Sequence, residues 1–111
     1  MAELGYSVFV EATHGKKLHE HNFKIEVVLE APYDSKTGWI AGTDIHEFMS
    51  AVEGLKKYIE HKNLNELFPP GSMENIAIYF IKKLIGKFKI KFVKVSETEN
   101  RYAIIYSNEI E

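Results

Sequence analysis

His19-Glu20-His21-Asn22-Phe23-Lys24-Ile25-Glu26-Val27-Val28-Leu29-Glu30 is the stretch on which the fold turns. Phe23, Ile25, Val27 and Leu29 fall on one side of an extended chain. Asn22, Lys24, Glu26 and Glu30 fall mostly on the other, as in a strand with one buried face. Upstream, Tyr6-Ser7-Val8-Phe9-Val10-Glu11 reads as a partner strand with Tyr6, Val8 and Val10 on one face. The polar His14-Gly15-Lys16-Lys17 between them suits a hairpin connection. Downstream, Pro32 to Gly38 is a turn by composition, and the period then changes. Ile45, Phe48, Met49, Val52, Leu55 and Ile59 recur at helical spacing behind a helix-start box of Asp44 and Glu47. A loop from His61 to Gly71, where Pro69-Pro70 bars helix, leads to a second helix capped by Ser72 and buried along Ile76, Phe80 and Leu84. Two strands close the chain, Phe88 to Glu97 and Tyr102 to Ser107. A slip of apolar parity between Phe92 and Val93 predicts a bulge or burial on both faces.

The order ββααββ predicts one α+β domain over residues 1–111, a four-stranded antiparallel sheet with two helices on one face. Phe9, Val28, Val95 and Ile105 are assigned to the other face. They would need cover, so the chain is expected to oligomerise through its sheet. Fourteen basic and sixteen acidic side chains leave a net charge of −2, which gives no footprint for nucleic acid or an anionic membrane. The absence of cysteine excludes disulfides, thiolate metal sites and a thiol nucleophile. No apolar run approaches the roughly 18 residues of a membrane span. The first residues lack the pattern of a signal peptide, so a cytoplasmic protein is expected.

Three of the five histidines, His14, His19 and His21, fall within eight residues. On a strand, residues i and i+2 share a face, so His19 and His21 can reach one ion, and the hairpin returns His14 beside them. Three neutral imidazoles with an open fourth position make a Zn²⁺ site of the catalytic kind. A solvated, histidine-rich hairpin tip is the alternative that spacing alone leaves open.

Five segments, in order, resemble the motifs of the 6-pyruvoyl-tetrahydropterin synthase family, which includes the 6-carboxytetrahydropterin synthases. His19-Glu20-His21-Asn22-Phe23 resembles its H-G-H-N-Y, and Val10-Glu11-Ala12-Thr13-His14 its F-x-A-A-H. Glu60-His61-Lys62-Asn63-Leu64-Asn65 resembles D-H-K-x-L-N, Gly71-Ser72-Met73-Glu74-Asn75 resembles P-T-x-E-N, and Val95-Ser96-Glu97-Thr98 resembles V-x-E-T. The resemblance implies the tunnelling fold (T-fold), zinc on the three histidines, a pterin substrate, and sites between the subunits of a homotrimer or homohexamer. It places the family's catalytic Cys four residues before His19, where this chain has Gly15.

By the same resemblance Glu97 is the pterin anchor, its two oxygens accepting from the ring's amino and N–H groups; taken without the resemblance it reads as a polar residue ending the third strand. As the histidines lie elsewhere in the chain, Glu97 is expected to act apart from the metal. Ser72 and Glu74 border the pterin pocket, or are an ordinary helix cap and a first-turn acid. Glu60 and His61 form an acid–imidazole pair suited to moving protons, or His61 is a helix-end histidine. They are the first candidates to replace the missing base, and Glu11 or Glu20 the second, although strict alternation turns Glu20 away from the ion's face. Lys16 and Lys17 could meet a substrate phosphate, but suit a solvated turn better. Phe48, Tyr58, Phe80 and Phe92 are assigned to packing. The leading expectation is a zinc-dependent lyase acting on 7,8-dihydroneopterin triphosphate or an analogue. Retro-aldol cleavage to a 6-hydroxymethyl pterin, or pterin and metal binding without turnover, are the alternatives.

Overall fold

The computed structural model describes residues 1–40 and 42–110. Strands β1 (Ala2–His14) and β2 (His19–Ala31) pair along their whole length, from Ala2 opposite Ala31 to His14 opposite His19. Both strands outrun the apolar stretches that announced them, because the ladder carries the polar ends along. A small hairpin, β3 (Tyr33–Asp34) with β4 (Trp39–Ile40), occupies the expected turn. Helix α1 (Ile45–Ile59) starts where Asp44 accepts from the N–H groups of His46 and Glu47. The expected loop holds a further short helix, α2 (Leu64–Leu67), capped by Asn63. Helix α3 (Met73–Leu84) is capped by Ser72, which accepts from the Asn75 N–H. Strands β5 (Ile90–Thr98) and β6 (Arg101–Tyr106) complete an antiparallel sheet of order β1-β2-β5-β6.

One face of that sheet makes the core. Val8, Val10 and Ala12 of β1, Phe23, Ile25, Val27 and Leu29 of β2, and Val93 and Val95 of β5 pack under the buried stripes of α1 and α3. The deepest helical side chains are Phe48, Val52, Ile59, Ile76, Phe80 and Ile81. Burial of each is worth roughly 1.5–3 kcal/mol, so this layer sets the sheet's orientation.

The bulge of β5 lies one residue earlier than the parity slip suggested. Val28 faces Phe92 but Leu29 faces Ile90, so Lys91 is the extra residue. This shift corrects the assignment of the outer face. Val95 is fully buried and Ile105 packs against the core, while the Phe92 and Tyr106 rings meet at a tilt of 59° on the other side. Phe9, Tyr102 and Tyr106 are exposed. Tyr58 is also half exposed, on α1 beneath the Lys62 ammonium, rather than in the core. No described helix is long and apolar enough to cross a membrane.

Candidate functional site

The side chains that alternate into the core continue past the last apolar residue of each strand. After Val10 and Ala12 the next inward position of β1 is His14, and beyond Phe23 on β2 it is His21. The three imidazoles therefore gather at one end of the helix-covered face. Ring centroids are 4.7 Å apart for His14–His19, 5.1 Å for His14–His21 and 4.5 Å for His19–His21.

Two of the rings are held by backbone. His14 Nδ1–H donates to the Gly71 carbonyl at 2.7 Å, and His19 Nδ1–H donates to the Lys17 carbonyl at 2.7 Å. That leaves Nε2 of each with its lone pair, the usual arrangement around a metal-bound imidazole. His14 Nε2 is buried with no hydrogen-bond partner among the described residues. A buried nitrogen costs free energy unless something occupies its lone pair, and a cation would. One ligand atom from each histidine lies within 4.8 Å of the others. Small ring rotations bring such a set onto a tetrahedral ion with bonds of about 2.0–2.1 Å. Burial holds His21 below the usual histidine range, against the pull of the Glu97 carboxylate, and its neighbours His19, His14 and Arg101 push the same way as burial. A neutral ring is the form that binds metal.

Glu97 does not stand apart. Its carboxylate lies 3.4 Å from His14 Nε2 and 3.7 Å from His21 Nε2, and its side chain is 7% exposed. Strand alternation carries it inward, and a second β5 irregularity lies at the same residue. Ser96 faces Tyr102 while Thr98 faces Arg101, so Glu97 is the extra residue between them. It continues the inward face after Val93 and Val95. Arg101 Nη1 lies 3.5 Å from Oε2, the oxygen that also faces His21.

His14, Glu97 and Arg101 line a cavity of about 430 Å³, together with Lys16, Ser72 and Glu74. That volume is ordinary for a small-molecule site. A larger groove of about 690 Å³ runs past Tyr58, Phe68 and Tyr79, but no imidazole or carboxylate lines it. The smaller cavity is the one equipped for acid–base work.

Asn65 and Gly71 fall within the motif segments without a role of their own there, and the structure supplies one. Asn65 donates from Nδ2 to the Gly15 carbonyl at 2.8 Å, and its Oδ1 accepts from the N–H groups of Gly15 and Gly71. One amide thus joins the hairpin tip to the loop that orients His14. Gly71 has no room for a side chain, since a Cβ would sit 2.7 Å from the Leu64 carbonyl carbon and 2.8 Å from Asn65 N. Gly71→Ala is expected to destabilise the fold by about 1–3 kcal/mol and to weaken metal uptake. Urea denaturation alongside metal analysis measures both; wild-type values in each would mean the loop yields freely.

Gly15 is constrained too. It adopts φ +97°, and a Cβ there would lie 2.8 Å from His19 Cε1. A thiol at this position would press on a ligand ring.

His61 and Glu60 do not line the cavity. His61 N–H donates to the Glu11 carbonyl at the β1 edge, and Thr13 N–H to the Lys62 carbonyl. This pairing puts the His61 ring on the opposite, outer side, with Nδ1 3.9 Å from Glu11 Oε2. Glu11, Glu20 and His61 offer ligand atoms within 4.8 Å of one another there, all exposed. Glu60, instead of facing His61, ends α1 by donating its N–H to the Lys56 carbonyl. Asp44 and Ser72 are helix caps, and His46 is exposed.

The family model described as 6-pyruvoyl tetrahydropterin synthase matches residues 5–108, nearly the whole chain. The chain belongs to this family. A dihydroneopterin monophosphate aldolase of Pyrococcus furiosus is 31% identical over 106 residues, covering 86% of this chain and 90% of that protein. A 6-pyruvoyl tetrahydrobiopterin synthase of Drosophila melanogaster is 33% identical over 90 residues, covering 72% of this chain and 52% of the fly protein. The solved 6-pyruvoyl tetrahydropterin synthase of Caenorhabditis elegans superposes with a TM-score of 0.81 at 20% identity, over 95% of this chain and 94% of the worm chain. That likeness establishes the T-fold. Membership of the 6-pyruvoyl tetrahydropterin synthase family makes this a chain of pterin-processing type.

Proposed function

We propose that this protein is a zinc-dependent aldolase that cleaves the side chain of a 7,8-dihydroneopterin-type substrate to a 6-hydroxymethyl pterin. The observation that carries this reading is Glu97, a buried carboxylate against the imidazole trio in a chain with no thiol. The likeness to a dihydroneopterin monophosphate aldolase over nearly its full length supports it.

The two chemistries open to such a site ask different things of a base. Synthase-type elimination removes protons from carbon. Cleavage removes one from a hydroxyl, which a carboxylate can take more readily. His14, His19 and His21 would hold Zn²⁺, which, when bound, lowers the pKa of side-chain hydroxyls. Glu97 accepts the proton of the C2′ hydroxyl. The C1′–C2′ bond breaks, C2′ becomes an aldehyde, and the bonding electrons pass into the ring imine. The proton on Glu97 then returns to C1′, leaving the hydroxymethyl group. Every atom is accounted for in two products, the pterin and a two-carbon aldehyde.

This reading moves the anchor. A pterin presents its 2-amino edge at the end of the ring far from its side chain. A carboxylate 3.4 and 3.7 Å from two ligand nitrogens stands beside the reacting hydroxyls, which suits a proton acceptor better than a hold on the ring's far edge. Glu74 is the other carboxylate lining the cavity, at the start of α3 beside Ser72, and it takes the pterin edge. His61, with Glu11 and Glu20 around it, faces away from its own cavity. In a homotrimer or homohexamer it would serve a neighbour's. The exposed Phe9, Tyr102 and Tyr106 favour such an assembly.

Product analysis tests the reading. Incubated with 7,8-dihydroneopterin and with its 3′-phosphate, the zinc-loaded protein should release 6-hydroxymethyl-7,8-dihydropterin. A pyruvoyl or carboxy product from the triphosphate, with no cleavage of any of these pterins, would return the synthase reading.

A further inference from the structure

We propose that the groove between α1 and α3 is a docking site for an acidic amphipathic segment of a partner protein. The groove, of about 690 Å³, is lined by Leu55, Leu67 and Ile78 and by the rings of Tyr58, Phe68 and Tyr79. None of the six is fully buried, and Tyr58 is 53% exposed, so apolar and aromatic surface faces water here. Contiguous surface of this kind on a soluble chain marks an interaction site, and aromatic side chains are enriched at such sites. The proposal stands apart from the pterin reading, because no imidazole or carboxylate of the metal cavity takes part.

The chemistry of the partner follows from the charges. The charged residues lining the groove are Lys82 and Lys83. A third ammonium, that of Lys62, sits 4.0 Å from the centroid of the Tyr58 ring, and Lys83 Nζ lies 6.0 Å from that of Tyr79. Lys24, Lys87, Lys91 and Lys94 have carboxylate partners, but among the described residues Lys62, Lys82 and Lys83 have none. Tyr79 stacks with Phe68 at a centroid distance of 5.5 Å and with Tyr58 at 6.2 Å. With faces turned to one another and to an ammonium, the rings offer a ligand their electropositive edges. Edges and ammonium groups both favour carboxylates, and the apolar surface between them favours bulky side chains. A helix with Leu or Trp on one face and Glu or Asp along its margins supplies both. Nucleic acid fits less well, since a stacked base needs a free ring face and the chain carries a net charge of −2.

Fluorescence anisotropy on the intact protein tests this with a labelled helical peptide of about 14 residues, carrying Leu and Trp on one face and glutamates beside them. A counterpart carries lysine in place of each glutamate, and the ratio of the two affinities is the readout. The acidic peptide should bind with a micromolar Kd, about tenfold or more tighter than the basic one. Lys82→Glu combined with Lys83→Glu, both at exposed positions, should invert that preference. Lys62→Glu, on a separate segment, should lower the ratio about threefold by itself, which keeps the test decisive should the double variant fail to fold. Tyr58→Ala should weaken both peptides together. An acidic peptide bound no better than the basic one, or a ratio unmoved by the lysine variants, overturns the proposal. So does a single-stranded oligonucleotide that displaces the acidic peptide at lower concentration, which would give the groove to nucleic acid. A light-scattering mass that falls in the reversal variant would give it to a second copy of the chain, and overturns the proposal too. No pterin enters the experiment, so failure of the aldolase reading leaves its outcome untouched.

Discussion

His19→Ala will strip the metal from a protein that remains folded. The wild type should hold about one divalent ion per chain, as a three-imidazole site does. His19 is exposed, and the core beneath it begins at Phe23, so its removal takes a ligand without opening a cavity. Affinity should drop by more than the roughly 10- to 100-fold that follows loss of a group merely touching a ligand. Elemental analysis, with circular dichroism as the check on folding, measures this. Unchanged metal content would mean that the trio is a solvated hairpin tip.

Glu97→Gln and Glu74→Gln should fail in opposite ways. Glutamine at position 97 keeps the volume and removes the proton acceptor, so kcat should fall by roughly 10²- to 10⁴-fold. Pterin binding should persist, because the far edge of the ring is held elsewhere. Metal affinity should drop modestly, since the carboxylate lies 3.4 and 3.7 Å from two ligand nitrogens. Glutamine at position 74 places a donor against a donor. Losing two charge-assisted hydrogen bonds should cost about 2–4 kcal/mol, or roughly 30- to 1000-fold in pterin affinity. Equilibrium titration and steady-state rates on the two variants separate the roles. The reverse pattern, with position 97 governing affinity and position 74 silent, would restore Glu97 as the anchor.

Where a side chain's surroundings are local, the sequence announced them. The alternation from Phe23 to Leu29 determined the face of β2, and Asp44 and Ser72 marked both long helices, because caps and period-two patterns depend on neighbours in the chain. The histidine trio was visible for the same reason, since a hairpin brings its two strands together by itself. Glu97 and His61 were harder. Alternation after Val93 and Val95 carries Glu97 inward, but nothing in Ser96-Glu97-Thr98 signals that the imidazoles of β1 and β2 end at the same place. His61 owes its side of the sheet to backbone pairing with Glu11, a contact between segments fifty residues apart. Asn65 and Gly71 were unreadable as a pair until the loop was seen to close on Gly15.

The bond from His14 Nδ1 to the Gly71 carbonyl spans 57 positions. Its consequence belongs to the order of folding. The β1–β2 hairpin can form on the microsecond scale typical of such units, and it contains all three imidazoles. Yet His14 acquires its final orientation only when the chain has passed through α1 and α2 and returned, a closure of the kind that slows folding. An ion that meets the nascent hairpin finds ligands without their geometry. Full-strength metal capture is therefore a late event, and its rate is a clock for the docking of the residue 61–71 segment rather than for the birth of the hairpin.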